Sequence, residues 1–119
     1  MYEIEKDPVK RRVILRLDKY EDHDSPRFIH DLQHAALSVK GADPTFDILA
    51  DFSDSMVMPQ HIAQESADIA AWLMANGLRK SANVSRSVTQ KMQVRRVTHQ
   101  DKRFGLFETR ADAEAWLDC

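Results

Sequence analysis

Cysteine, glycine and long apolar runs are scarce in this sequence of 119 residues, and each shortage excludes a class of protein. Cys119 is the only cysteine, so the chain has no internal disulfide and no cysteine-rich metal site. No apolar run approaches the roughly 20 residues that cross a bilayer. The first residues include acids where a secretory or transit peptide has basic and apolar regions. We therefore expect a soluble, cytoplasmic protein without a transmembrane segment.

Features of common enzyme sites are also lacking. The three glycines are isolated from one another, so no glycine-rich loop is available to hold a phosphate. No Gly-x-Ser-x-Gly elbow is present for a serine hydrolase. As the last residue of the sequence, Cys119 lacks the fixed surroundings that make a thiol reactive. The sequence thus predicts a protein that is not an enzyme and binds no cofactor.

Charge is distributed unevenly around a net value of −2. Eight basic residues and a single acid, Asp101, occupy positions 79–103. No aromatic residue is interleaved with these basic residues, and with the net negative charge this argues against nucleic-acid binding. The segment indicates either a docking surface for an acidic partner or a solvated helix face with flanking turns. The candidate basic patch consists of Arg79, Lys80, Arg86, Lys91, Arg95 and Arg96.

Apolar and charged residues alternate near the start of the chain, which predicts two paired strands. The first covers residues 2–5. Asp7 and Pro8 then break the strand, because proline lacks a backbone donor and restricts the residue before it. The second strand covers residues 13–17. Since the connection is too short for a crossover helix, we expect the two strands to pair antiparallel.

The first amphipathic segment predicts a helix between two recognisable ends. Ser25 suits the capping position, Pro26 suits the first turn, and Gly41 suits the left-handed stop. His30 and His34 lie one turn apart on the side opposite the apolar stripe. Such a pair binds a divalent metal weakly, but no third ligand stands at a useful spacing. We interpret the two as solvated histidines and predict no metal site.

A central strand and a second helix follow. Residues 46–52 form a nearly continuous apolar run, which predicts a strand covered on both faces. Pro59 opens the second helix and Gly77 ends it, with Trp72 on the flank of its apolar stripe. A strand-helix-strand-helix order implies right-handed crossovers in a parallel or mixed sheet.

The last third of the chain predicts two further strand-helix pairs. Residues 81–85 form a weak strand in which only Ala82 and Val84 are suited to burial. A helix covers residues 89–99, although its apolar residues share no clean face. Phe104–Phe107 is the last strand, and Thr109 caps a terminal helix. We predict one α/β domain over residues 1–119, a mixed sheet of about five strands with about four helices in the order β-β-α-β-α-β-α-β-α.

Two segments resemble the SpoIIAA-like (STAS/CRAL-TRIO-like) proteins. The ending FGLFETRADAEAWL, at 104–117, is similar to that family's closing aromatic strand and acidic helix. The segment ILADFS, at 48–53, is similar to its central strand, which leads into an Asp-x-Ser-type turn and a helix. The order of elements also matches over nearly the whole chain. The resemblance implies the α/β fold described above.

The resemblance also implies a regulatory site. STAS domains carry a phosphorylatable serine at the start of the helix after the central strand, where phosphate meets free N–H groups and alters a docking surface. In this chain the corresponding position falls at 59–61, which has no hydroxyl. Ser53 and Ser55 lie a few residues upstream and are the candidate phosphorylation sites. The alternative is that both are polar turn residues that satisfy backbone donors.

The same fold group includes carriers of apolar small molecules. Met56, Val57 and Met58 form an apolar, adaptable cluster before the second helix. Together with Trp72 and Met74, this cluster suggests a ligand pocket. The alternative is that it covers the core or forms a dimer contact.

A third hypothesis concerns catalysis at the end of the central strand, where ligands of open α/β sheets bind. Asp51 and Asp54 are placed to act as an acid and base pair, or to hold a hard cation with Ser53 and Ser55. His61 is a further candidate for hydrolysis. The alternative is a solvated turn.

Three hypotheses of function follow from these features. The favoured one is a non-enzymatic regulatory or protein-interaction module of the SpoIIAA-like type, with an unidentified protein partner and a possible homodimer through an exposed strand. A carrier or sensor of a small apolar or amphiphilic ligand comes second, and a hydrolase using Asp51, Asp54 or His61 third. The candidate site residues are Asp51, Ser53, Asp54, Ser55, Met56, Met58, Gln60, His61 and Trp72.

Overall fold

The computed structural model describes residues 2–17, 25–52, 60–98 and 101–119, with the backbone alone at positions 2, 17, 25, 26, 60–65, 89, 90 and 97. The elements in chain order are β1 (Tyr2–Asp7), β2 (Arg12–Leu17), α1 (Ser25–Lys40), β3 (Phe46–Asp51), α2 (Gln60–Ala75), β4 (Leu78–Val84), α3 (Val88–Val97), β5 (Phe104–Phe107) and α4 (Arg110–Leu117). This order confirms the predicted one. None of the helices within the described ranges has both the length and the hydropathy needed to cross a membrane.

The five strands of the described chain form a single mixed sheet in the order β1-β2-β3-β4-β5. β1 and β2 pair antiparallel across a short turn, in which Arg11 adopts a φ of 51°. β2 to β5 are parallel, and a helix connects each strand to the next. Parallel neighbours need such crossovers, which lay helices on the faces of the sheet. The predicted fold class, α/β with a mixed sheet, is confirmed.

β3 is the middle strand, and helices cover it on both faces. Ile48 and Ala50 belong to the apolar cluster beneath α1 and α2. Leu49 points to the opposite face and packs with Ala113 and Leu117 of α4. Successive side chains of a strand point to opposite faces, so a strand between two helical layers needs an unbroken apolar run. The prediction of a buried central strand at 46–52 is confirmed.

β4 begins at Leu78, three residues earlier than the sequence predicts. Phe46 pairs with Leu78 whereas Asp47 pairs with Lys80, so Arg79 is the extra residue of a β-bulge. A bulge interrupts the alternation of apolar and polar residues by which a strand is recognised. The first part of β4 therefore carries no strand pattern in the sequence.

Polar side chains of β4 are buried, although the sequence predicts burial of Ala82 and Val84 alone. The Asn83 side chain is 6% exposed, and its Nδ2 donates to the carbonyls of Ser81 and Gly105, each at 3.3 Å. These hydrogen bonds offset the cost of burying the amide. The predicted strand is confirmed, but the prediction that only Ala82 and Val84 are buried in it is wrong, because β4 lies inside the sheet between β3 and β5.

The two helices after β4 differ in how firmly they pack. In α3, Val94 is buried while Val88 and Met92 are exposed, in keeping with a helix that has no clean apolar face. α4 is capped as predicted: the Thr109 hydroxyl accepts a 3.2 Å hydrogen bond from the backbone N–H of Asp112. The packing of α4 on the sheet then brings its first turn beside the ends of β3, β4 and β5.

Candidate functional site

The parallel strands β3, β4 and β5 end level with one another, and we call this side of the sheet the carboxyl edge. Asp51 of β3 pairs with Val84 of β4, which in turn pairs with Phe107 of β5. Backbone bonds of 2.9 Å from Phe52 N–H to Val84 and from Ser85 N–H to Phe107 extend the pairing by one residue. Ligands of open α/β sheets bind outside such strand ends. The carboxyl edge is therefore the candidate location of a binding site.

A recess of about 470 Å³ opens at the carboxyl edge beside the first turn of α4. Among the described residues that line it, Val84 is apolar and the other five carry a charge or a hydroxyl. Both signs of charge are present, so the recess suits hydrogen bonds and ion pairs with a polar partner. The carboxyl-edge recess is lined by Asp51, Val84, Arg86, Glu108, Thr109 and Arg110.

Glu108 and Arg110 of the recess form ion pairs with residues that do not line it. Glu108 Oε1 lies 3.1 Å from Lys91 Nζ, and Arg110 Nε lies 3.3 Å from Glu114 Oε1. Exposed ion pairs of this kind contribute little to stability, so a partner's groups can replace them at small cost. Arg86 is exposed and makes no ion pair within the described part of the chain. It is the cation most available to an incoming carboxylate.

Apart from Trp72, the predicted site residues fall into three groups. Asp51 lies in the recess. Gln60 and His61 begin α2, which is described there by its backbone alone. The remaining candidates of the turn lie outside the described residues: Ser53, Asp54, Ser55, Met56, Val57 and Met58. Their predicted roles in binding, phosphorylation or catalysis stay predictions.

Trp72 lies far along α2 from the carboxyl edge. A rise of 1.5 Å per residue places it roughly 18 Å from Gln60. Its half-buried ring packs against the core cluster beneath α1 and α2. Its carbonyl accepts hydrogen bonds from the backbone N–H and the Nδ2 of Asn76, at 3.1 and 2.8 Å. These are the contacts of a core residue near the end of a helix.

The basic segment 79–103 is divided between opposite ends of the sheet. Arg79 and Lys80 lie at the start of β4, on what we call the amino edge, whereas Arg86 lies beyond its end. At about 3.3 Å per residue, a strand of seven residues separates the two groups by roughly 20 Å. The last three members of the candidate patch, Lys91, Arg95 and Arg96, lie on α3. The six residues therefore form no single patch.

Arg79 and Asp47 form an ion pair at the amino edge. Arg79 Nε donates to Oδ1 at 2.9 Å and Nη2 donates to Oδ2 at 2.5 Å. These hydrogen bonds to Asp47 raise the pKa of Arg79 above its ordinary value. Nη2 also donates to the carbonyl of Leu117 at 2.8 Å, so this guanidinium connects β3 to the end of α4.

Three further cations hold the carboxyl end of α4. Lys80 Nζ donates to the carbonyl of Trp116 at 2.9 Å and lies 4.9 Å from the centre of its ring. Arg12, a buried residue of β2, donates to Asp118 at 2.7 Å, and Lys10 lies 3.4 Å from the same carboxylate. Positive charge is favourable at this end of a helix, where unpaired carbonyls collect. The amino edge thus has a structural role in docking α4.

Asp118 makes this docking dependent on pH. Hydrogen bonds from Arg12 and then Lys10 hold the pKa of Asp118 below its ordinary value. The pair therefore stabilises the fold above about pH 4, where a free aspartate is ionised, and the contribution is lost as the pH falls through the lowered pKa. We expect the urea midpoint of the wild type to fall more steeply below pH 4 than that of Asp118→Asn. Equal slopes for the two proteins would contradict this role of Asp118.

The histidine pair of α1 is present but isolated. The rings of His30 and His34 are 6.4 Å apart between centroids. Within the described ranges, no group of three histidine, cysteine, aspartate or glutamate side chains is arranged around a common point. The pair itself is therefore placed as the sequence predicts, on one exposed side of α1.

Comparison with known proteins establishes the fold. No protein-family model matches this sequence, and no curated protein matches it. Among solved structures, the chain is similar to an uncharacterized protein of the DUF3478 family with a SpoIIAA-like fold from Shewanella loihica PV-4. The TM-score is 0.64 over 98% of this chain and 92% of that chain, at 16% sequence identity. The chain thus has a SpoIIAA-like fold, as the resemblance implied.

Proposed function

We propose that this SpoIIAA-like chain is a non-enzymatic regulatory module that binds a protein partner at the carboxyl edge. The contact surface consists of residues 53–61 and the carboxyl-edge recess. The observation that carries the proposal is the recess lining, in which five of the six described residues are polar or charged. A protein surface supplies complementary charges to such a lining. An apolar ligand would remove the same groups from water without offering them hydrogen bonds.

Chain connectivity supports including residues 53–61. Asp51 ends β3 and lines the recess, and residue 60 begins α2. The intervening segment is therefore attached to the sheet at the recess itself. Phosphate on Ser53 or Ser55 would add nearly two negative charges within a few residues of Asp51. Such a change would alter the partner's affinity, and this is the regulatory part of the proposal.

Affinity capture from native lysate with charge-reversed variants tests the binding surface. Arg86→Glu should reduce recovery of the partner about tenfold, because it replaces the available cation of the recess with an anion. Lys6→Glu makes the same change of charge on an exposed residue of β1 and should leave recovery unchanged. Equal recovery by Arg86→Glu and wild type, or equal losses for both variants, would refute the proposed surface.

We further propose that residues 1–119 act as one domain in the cytoplasm. The radius of gyration is 13.0 Å, against about 13.5 Å for a compact domain of this length. The single cysteine accords with a reducing compartment, where disulfides are rare.

A further inference from the structure

β5 is an edge strand with backbone groups that point away from the sheet. The carbonyls of Arg103 and Phe107 accept bonds of 2.7 and 2.9 Å from β4. In a parallel pair the bonded residues alternate along each strand, so the backbone of Leu106 faces outward. Within the described chain no other strand pairs with this side of β5. The outward groups are the carbonyl of Phe104, the N–H and carbonyl of Leu106, and the N–H of Glu108.

The two outermost strands of the sheet, β1 and β5, differ in how they are protected from pairing with another chain. β1, at the far edge, carries the charged residues Glu3, Glu5, Lys6 and Asp7 in a strand of six. Charged side chains on an edge strand discourage pairing with another chain. The four residues of β5 include no charge, and all four are half-buried. β5 is therefore the edge that is open to a further strand.

A cavity of about 320 Å³ lies between α3 and β5. Phe104 and Leu106 are two residues apart, so their side chains share one face of β5 and line this cavity together. Val94, from α3, supplies the apolar wall opposite them. Arg95 and Lys102 also line it, and both are exposed. The cavity thus has an apolar floor beside an open strand and a basic rim.

The rim keeps an excess of positive charge. Asp101 also lines the cavity, but Arg103 donates to it through Nε and Nη2, each at 2.9 Å. These hydrogen bonds lower the pKa of Asp101, so it stays ionised and paired at neutral pH. Its negative charge is therefore balanced by Arg103. Arg95 and Lys102 remain as the cations that an incoming chain would meet.

We propose that β5 and α3 form a second binding surface, at which an extended acidic segment of a partner protein adds to the sheet as a sixth strand. The segment's main chain bonds to Leu106 and its neighbours, one apolar side chain enters the cavity, and acidic side chains face Arg95 and Lys102. Strand addition of this kind takes affinity from main-chain bonds and specificity from pockets for alternate side chains.

Charge decides between this occupant and a second copy of the chain. Pairing of two β5 strands would bring the Arg95 and Lys102 of both copies to one interface. Like charges held together there disfavour association, whereas an acidic segment is attracted to the same rim. Among the described residues, the surface meets the carboxyl-edge recess only at Glu108, whose side chain lines the recess and whose N–H faces outward from β5. The inference stands whether or not the recess binds a partner.

Titration of the ¹⁵N-labelled chain with a synthetic peptide tests the inference. The probe is a capped six-residue peptide with glutamate, leucine and glutamate at alternate positions and threonine between them. The amides of Leu106 and Glu108 should shift on titration, because they gain acceptors. Hydrogen exchange of the Leu106 amide should slow at least about tenfold at saturation.

Two N-methylated forms of the same peptide give a matched control. Alternate N–H groups of a strand point to opposite sides, so only one set can face β5. Methylation of that set should abolish binding, whereas methylation of the other set should leave it intact. Leu106→Pro should also abolish binding, since it removes the outward donor at an edge position that tolerates proline. The double variant Arg95→Glu and Lys102→Glu should prefer a peptide with lysine in place of glutamate.

Three results would each overturn the inference. The first is no shift at Leu106 and Glu108 up to millimolar peptide. The second is equal binding of the two methylated peptides, which would show that main-chain bonds are not used. The third is a dimer of the free chain in sedimentation with its Leu106 amide already protected, which would assign this edge to a second copy.

Discussion

Replacing Gly77 with alanine is expected to destabilise the protein by about 3 kcal/mol or more, the upper end of the range for a strained backbone position. Gly77 has a φ of 106°, which residues with a Cβ rarely adopt. A Cβ placed there would overlap the backbone carbonyl oxygen of Pro44. The Gly77 carbonyl also accepts a 3.1 Å bond from Phe46 N–H, so any shift disturbs the first pair of β3 and β4. Urea unfolding followed by circular dichroism measures the loss.

Gly41 is the matched control, because it ends α1 with a φ of 55° and a Cβ there would meet no atom within 4 Å. Gly41→Ala should therefore cost only about 1 kcal/mol, the penalty for the left-handed conformation alone. The difference between the two variants reports the overlap with Pro44 together with the less favourable φ of Gly77. Equal urea midpoints for the two variants would mean that the chain relaxes around Gly77 at no cost.

The order of elements is predictable from the sequence because the strongest patterns belong to the most buried segments. The apolar run at 46–52 becomes the central strand, and the segment between Ser25 and Gly41 becomes α1. The sequence pattern does not predict the buried polar residues of β4, because their burial depends on tertiary contacts. Asn83 is buried because its amide reaches the carbonyl of Gly105, 22 residues away, and no local pattern reports that acceptor.

The candidate site is predictable only in part. Asp51 is identifiable because it ends an apolar strand, and the structure places it in the recess. Glu108 joins it from the connection after β5 and Arg110 from the start of α4. Only the parallel register of β3, β4 and β5 brings them there. The sequence does carry a signal for such residues, because those that directly follow parallel strands lie at the same end of the sheet.

The basic segment 79–103 is the opposite case, in which residues close in sequence do not form one surface. Arg79 and Arg86 are close in sequence, but the length of β4 separates them in space. Charge runs along a chain predict a surface only where the segment folds back on itself or lies on one helix face. For Arg79 the structure shows a buried partner instead, and that partner leads to a second large effect.

Replacing Arg79 with alanine is expected to cost about 3 kcal/mol, the lower end of the range for breaking a buried ion pair. The lower end applies because the Arg79 side chain is 40% exposed, whereas that of Asp47 is 4% exposed. Alanine would leave the Asp47 carboxylate buried without a cation and would free the Leu117 carbonyl at the end of α4. Arg79→Lys keeps the charge but loses the bidentate geometry, so its loss should be intermediate.

A double-mutant cycle separates the pair from general effects of the substitutions. Asp47→Asn removes the buried charge, so the double variant with Arg79→Ala should lose clearly less than the sum of the two single losses. Arg103→Ala is the control, since Arg103 contacts Asp101 in the same two-bond geometry. The Asp101 side chain is 29% exposed, against 4% for Asp47, so the loss should be smaller. Additive losses in the cycle would mean that solvent, and not Arg79, compensates the Asp47 carboxylate. The bulge at Arg79 would then serve the contact with Leu117 alone, and Arg79→Ala would loosen α4 without weakening β3.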